Sequence, residues 1–216
     1  MELGSVGKAA YSEFAGKRKL LLLPYVVATR EDRELHDLVD RYWEEAVTQI
    51  QKLEVSLGPI KHLFHEGSVE RGEEAVKLLE QGNAAGFSHL RKLLAGDCEL
   101  EATEDLETLA ETIDLQRCMM VTGASNKVRA RLIEWFEESR RQRYEHMATQ
   151  IVDTMGEDSV GVLVISPDHA VQFPREIEVV YVAPPVLDTI NRWLRDHPPL
   201  PPQSGAVEDA PSSTED

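Results

Sequence analysis

The six residues Val160-Gly161-Val162-Leu163-Val164-Ile165 constrain the fold more than any other stretch. They are almost continuously apolar and mostly β-branched. That pattern suits a strand covered on both faces, as in a parallel sheet flanked by helices. The run ends in Ser166-Pro167-Asp168-His169, and a second apolar run leads to the paired Pro184 and Pro185. In open α/β sheets ligands bind beyond the carboxyl ends of the strands. Asp168 and His169 therefore stand where a base, an acid or a metal ligand would act.

The rest of the chain supplies partners for that strand. A first strand is expected over about 19–27, with Pro24 inside it pointing to an edge or a bulge, since proline donates nothing to a ladder. A long amphipathic helix follows over 31–57: Leu35, Leu38, Val39, Tyr42, Ala46, Ile50 and Leu53 recur at steps of three and four. Thr29 is its expected cap, and Gly58-Pro59 ends it. A short second strand, Ile60 to Gly67, alternates His62, Phe64 and Glu66 on one face with Lys61, Leu63 and His65 on the other. Residues 68–121 read as a helical insertion, and the acidic stretch Glu99 to Glu111 as a solvated helix face beginning near Thr103. Ser125 caps the longest helix, 126–155, and a last amphipathic helix over Val186 to Asp196 turns Leu187, Ile190, Trp193 and Leu194 to the core. The expected architecture is α/β: a small, mainly parallel sheet of about four strands packed by long helices. Residues 1–16 read as a flexible arm, 17–196 as a single domain, and 197–216 as a disordered acidic Pro/Ser tail.

Composition narrows the function. A formal net charge of -16 opposes a phosphate-backbone partner, because nucleic-acid affinity comes largely from Lys and Arg releasing counterions. The apolar run Leu20 to Ala28 spans nine residues, well short of the roughly 20 needed to cross a bilayer. Cys98 and Cys118 are too far apart for a short metal motif and too few for a disulfide framework. These features describe a cytoplasmic protein with reduced thiols, no nucleic-acid or membrane partner, and a tendency to form homo-oligomers. Phosphate-cradling glycine loops and nucleophile elbows are absent.

Three groups of residues can carry chemistry. His65 and Glu66 close the second strand as a ligand or acid–base cluster, or else serve an edge strand as polar protection against aggregation. Arg140, Arg141 and Arg143 form the dense basic patch of the long helix, either lining an anionic site or balancing nearby acids such as Glu137 and Glu138. Asp168 and His169 complete the set. If the strand ends converge, His169, Glu66 and Arg143 meet in one crevice, with a carboxylate and an imidazole for metal ligation or proton transfer and a cation for an oxyanion. Asp168, His65 and Arg140 then stand around a small-molecule or peptide ligand.

The run from Arg143 through Met147 and Ala148 to Ile151, followed by a strand ending in Ser166-Pro167-Asp168-His169, resembles the closing section of the TraB, Tiki and ChaN-like superfamily. Glu66 matches the glutamate those proteins carry after their second strand. The resemblance implies a metal- or ligand-binding α/β protein; members show metal-dependent peptidase or esterase activity or bind haem. It implies His169 and Glu66 as ligands of a divalent metal and a metal-dependent hydrolase as the enzyme class. Two departures accompany it: no histidine follows the first strand, where Pro24 to Arg30 reads PYVVATR, and Ser166 replaces a glycine. A non-catalytic assembly protein is the alternative.

Overall fold

The chain alternates strands and helices: β1 (Arg18–Pro24), α1 (Arg33–Leu57), β2 (Ile60–His65), α2 (Gly72–Gly82), α3 (Ala84–Leu90), β3 (Glu99–Glu101), α4 (Leu106–Val121), α5 (Asn126–Thr154), β4 (Val160–Ile165), β5 (Ile177–Tyr181) and α6 (Val186–Asp196). The structure, a computed structural model, describes residues 17–121, 123 and 125–198. The expected N-terminal arm, and the tail beyond Pro198, lie outside the described residues. The sheet has five strands, all parallel, in the order β3-β2-β4-β1-β5. Parallel pairing is thus complete, and the fifth strand is β3, inside the stretch expected to be wholly helical.

Side-chain alternation explains the layers. Leu21 and Leu23 of β1, with Val160, Val162 and Val164 of β4, face one cluster that also takes in Leu35, Trp43 and Ile50 of α1 and Ile190 of α6. Leu20, Leu22, Leu163 and Ile165 face the other, against Tyr144, Met147 and Ile151 of α5. Each of these leucines and valines is buried, contributing about 1.5–3 kcal/mol apiece. Gly161 makes room on the α5 side: a β-carbon there would stand 3.2 Å from both Met155 Sδ and Phe64 Cε2.

Several expectations change. The apolar run before Pro184 forms β5, which is separated from β4 by β1, and the segment between β4 and β5 buries Val171 against the α5 side. Pro24 is at the end of an interior strand, not at an edge: its missing N–H would point toward β5, where the ladder has already stopped at Leu22 and Tyr181. β2 is interior too, between β3 and β4. Asp32, not Thr29, caps α1, its Oδ1 accepting from Leu35 N at 3.1 Å. α4 begins just past Thr103, with Asp105 as its cap, accepting from Thr108 N at 2.9 Å. Leu194 stays partly exposed while Trp193 and Ile190 fill the core.

α4 and the first half of α5 form a separate arm. α4 packs chiefly on α5, where Thr112 Oγ1 and Ser139 Oγ are 3.0 Å apart and Leu132 is buried. Val128 and Trp135 of α5 are exposed there.

Candidate functional site

Three adjacent strands end at one level. Tyr25 N donates to Ile165 O at 2.8 Å and Glu66 N to Val164 O at 2.9 Å, extending the ladders one residue past β1 and β2. Tyr25, Glu66 and Ser166 therefore stand in a row at the carboxyl edge. Glu66 shares the face of Phe64 and so points toward α5, from which Arg143 reaches back.

A fourth residue closes the group. After β3 the chain is pinned by Thr103 N and Glu104 N, which donate to Ser68 O at 2.8 and 3.0 Å. Thr103 Oγ1 in turn accepts from His65 N at 3.2 Å. This delivers Glu104 beneath Arg143, with its side chain fully buried. Arg143 Nε donates to both Glu104 oxygens at 3.0 and 2.8 Å, Nη2 also bonds Glu104 Oε1, and Nη2 donates to Glu66 Oε1 at 3.0 Å. Ser166 N and Oγ both donate to Glu66 Oε2 at 2.6 Å, and Gly67 N to Glu104 Oε1 at 3.1 Å. The result is a buried carboxylate–guanidinium–carboxylate bridge. Burial works against the Arg143 charge, but the Glu104 hydrogen bonds and the charges of Glu104 and Glu66 outweigh it, holding the guanidinium above its ordinary value.

The acidic stretch is thus not uniformly solvated. Glu104 is buried in this bridge, and Glu101 is buried against His62, whose Nδ1 donates at 2.9 Å, and Arg71, whose Nη2 donates at 2.7 Å.

The histidines differ in placement. His65 is buried, with its Nδ1 donating to Glu66 O at 2.5 Å and its ring meeting that of Tyr25 edge-on at 4.9 Å. Burial lowers its pKa, against the Glu66 carbonyl bond and the Glu66 charge. It braces the site instead of facing a ligand. His169 is half-buried, its N–H tied to Ser166 O at 3.1 Å. Its Nδ1 is buried and meets no partner among the described residues. Burial lowers the His169 pKa, while Glu66 and then Asp168 pull the other way, so the ring is neutral at pH 7. Asp168 is exposed.

The structure therefore brings Glu66 and Arg143 into contact, with His169 close enough to feel Glu66. It does not build the expected metal centre. Both Glu66 oxygens already accept hydrogen bonds, one from a guanidinium, and no group of three or more His, Cys, Asp or Glu side chains is arranged around an ion among the described residues. A divalent cation bound there would need oxygens that Arg143 and Ser166 occupy, beside a positive charge. The donor set does not fit a metal.

Arg140 and Arg141 do not reach the strand ends. Arg140 pairs with Glu137 at 2.8 Å, and its guanidinium lies 5.6 Å from the Phe136 ring centre. Arg141 pairs with Glu138 and Glu145 at 2.7 and 2.6 Å. Both line a slot of about 340 Å³ between α5 and the segment after β4, together with their partners Glu137 and Glu145 and with Tyr144, Ala148, Ala170 and Gln172. His169 immediately precedes Ala170 in that wall. Burial raises the Tyr144 phenol, with Glu66 adding to the rise, so Tyr144 is a hydrogen-bond donor at neutral pH.

Sequence reasoning missed Glu104, Tyr25 and the slot-facing role of Tyr144. An aromatic residue directly after a strand, as Tyr25 is, offered a signal; Glu104 offered none beyond its place between β3 and the α4 cap. No protein-family model matches the chain, and neither does any curated protein or solved structure.

Proposed function

We propose that this protein binds a small organic anion in the slot between α5 and the segment after β4, without turning it over, as a relative of the TraB, Tiki and ChaN-like superfamily that binds without a metal. The reading rests on one observation, the slot between α5 and residues 166–176. Its volume of about 340 Å³ falls within the range of small-molecule sites. Ala148 and Ala170 give it an apolar body, Tyr144 a donor, and Arg140 and Arg141 cations. The arginines are paired with acids three or four residues away on the same helix, and Arg140 also lies against the Phe136 ring. Such pairs are worth about 0.5 kcal/mol, so a bound carboxylate or phosphate takes a guanidinium over at little cost. The carboxylates that line the slot, Glu137 and Glu145, are paired with Arg140 and Arg141, and Glu66 at the strand ends is fully engaged, which favours binding over catalysis.

Thermal unfolding with benzoate, phenyl phosphate, inorganic phosphate and neutral benzamide tests this. The aryl anions are expected to raise the melting temperature in proportion to ln(1 + [L]/Kd) and benzamide to leave it unchanged. Ala170→Trp, at an exposed slot wall, should remove the response, and Arg140→Gln should weaken it about tenfold. No shift with any anion, or an unchanged response in Ala170→Trp, sinks the reading.

A further inference from the structure

The slot beside α5 is not a basic site. Its cations, Arg140 and Arg141, are matched by Glu137 and Glu145 in the same lining, so the formal charges cancel, in a chain whose formal net charge is -16. A bare anion gains no net attraction from such a slot and meets two carboxylates inside it.

The two arginines are held differently. Arg141 donates to Glu138 from Nε at 3.2 Å and from Nη2 at 2.7 Å, and to Glu145 from Nη1 at 2.6 Å. Arg140 donates from Nη2 to Glu137 Oε2 at 2.8 Å, its one acid among the described residues. Its guanidinium also lies 5.6 Å from the Phe136 ring centre, a contact that keeps it in place when Glu137 turns away. A ligand carboxylate therefore takes Arg140, while Arg141 keeps both its acids. The acid released is Glu137, which then stands beside the incoming anion with one cation between two negative charges. A positive group on the ligand, next to its carboxylate, removes that repulsion.

We infer that the ligand of the slot is a zwitterion, an α-amino acid with an aryl or branched apolar side chain. Its carboxylate accepts from Arg140 and its ammonium donates to Glu137, so the ligand enters between the two halves of an ion pair. This rests on the anion reading of the slot and names the class of anion. Opposite charges flanking a single carbon suit a pair that closes at 2.8 Å. The rest of the face agrees. Glu137, Arg140, Tyr144 and Ala148 follow at steps of three, four and four along α5, a row that is charged at one end and apolar at the other. Arg140 to Ala148 spans about 12 Å along the helix axis. With its head group at the charged end, the amino acid lays its side chain past Tyr144 toward Ala148 and Ala170.

Titration calorimetry of the full chain with L-phenylalanine, 3-phenylpropionate and 2-phenylethylamine tests this, since the last two are phenylalanine without its ammonium and without its carboxylate. Phenylalanine is expected to bind about tenfold tighter than either, the effect of one charge-assisted hydrogen bond. Glu137 is half-exposed, so Glu137→Gln leaves the fold intact. That variant should weaken phenylalanine about tenfold and tighten 3-phenylpropionate, opposite signs that structural damage does not produce. Ala170→Trp should abolish binding of all three. If 3-phenylpropionate binds and phenylalanine is no tighter, if 2-phenylethylamine matches phenylalanine, or if Glu137→Gln keeps the preference, the inference falls and the anion reading stands. Binding of none of the three overturns both.

Discussion

Replacing Arg143 with methionine tests the bridge at the strand ends most directly. In the parent, Glu104 is fully buried and Glu66 and Arg143 nearly so, with 14% and 11% of their side chains exposed. The substitution keeps much of the side-chain volume and removes every guanidinium contact. Glu66 retains the two Ser166 donors, but Glu104 is left with Gly67 N–H alone. Leaving one charge of a buried pair uncompensated costs about 3–5 kcal/mol. For a chain of this size that corresponds to a fall in melting temperature of roughly 6–20 °C. Urea unfolding followed by circular dichroism gives the free energy. The double variant Arg143→Met/Glu104→Gln should recover part of the loss, with a coupling of about 1–3 kcal/mol between the two sites. A single-variant cost below about 1 kcal/mol, or strictly additive effects, would refute the account of Arg143 as the charge that makes a buried Glu104 tolerable.

Three further outcomes follow from the same packing. Burial holds His65 and His169 below the ordinary histidine range, so the unfolded chain takes up protons first as pH falls. Their contribution is full above about pH 6.5 and is lost as pH drops toward the folded values; the urea midpoint should therefore fall between pH 7.5 and 5.5, and less steeply in His65→Gln/His169→Gln. An equally steep fall in that variant contradicts the assignment. Gly86→Ala should cost about 1–3 kcal/mol in urea unfolding, because a β-carbon there would lie 2.6 Å from Asn83 Nδ2 and 2.8 Å from Trp43, whose indole N–H is fixed on Val26 O; a neutral result would mean that Trp43 moves freely. Burial, then the charges of Glu101, Glu54 and Glu99, push the Cys98 thiol up to about 12. Iodoacetamide at pH 8 should thus alkylate exposed Cys118 and spare Cys98 until the chain unfolds, as peptide mapping by mass spectrometry would read; labelling of native Cys98 contradicts its burial.

The strands that the sequence makes visible are those whose apolar residues alternate or run together: β1, β2, β4 and β5. β3 escapes because Glu99-Leu100-Glu101 is three residues long and two-thirds acidic, and its place in the sheet depends on His62 and Arg71 neutralising Glu101. Those partners lie 39 and 30 residues away, beyond any local pattern. The same holds at the site. Glu66, Arg143 and His169 stand out at strand ends or in a basic run, and the structure brings the first two into contact. Glu104 stands 39 residues from Arg143 and reads locally as one more acid before a helix. Helical spacing alone also gave no warning that Val128 and Trp135 of α5 face outward, since a period of 3.6 marks a face without saying what covers it.

The strand order also bears on how the chain is made. β4 stands between β1 and β2, yet Ser166 follows Glu66 by 100 residues. At about 5–20 residues per second, a ribosome needs roughly 5–20 s to travel from one to the other. Throughout that interval β1 and β2 have emerged with no strand to join them, and Leu20 to Leu23 and Leu63-Phe64 offer open, apolar edges. Vectorial synthesis thus leaves the sheet in two halves until its central strand arrives. A nascent chain stalled before Val160 would be a substrate for chaperones or for aggregation, however stable the finished protein is.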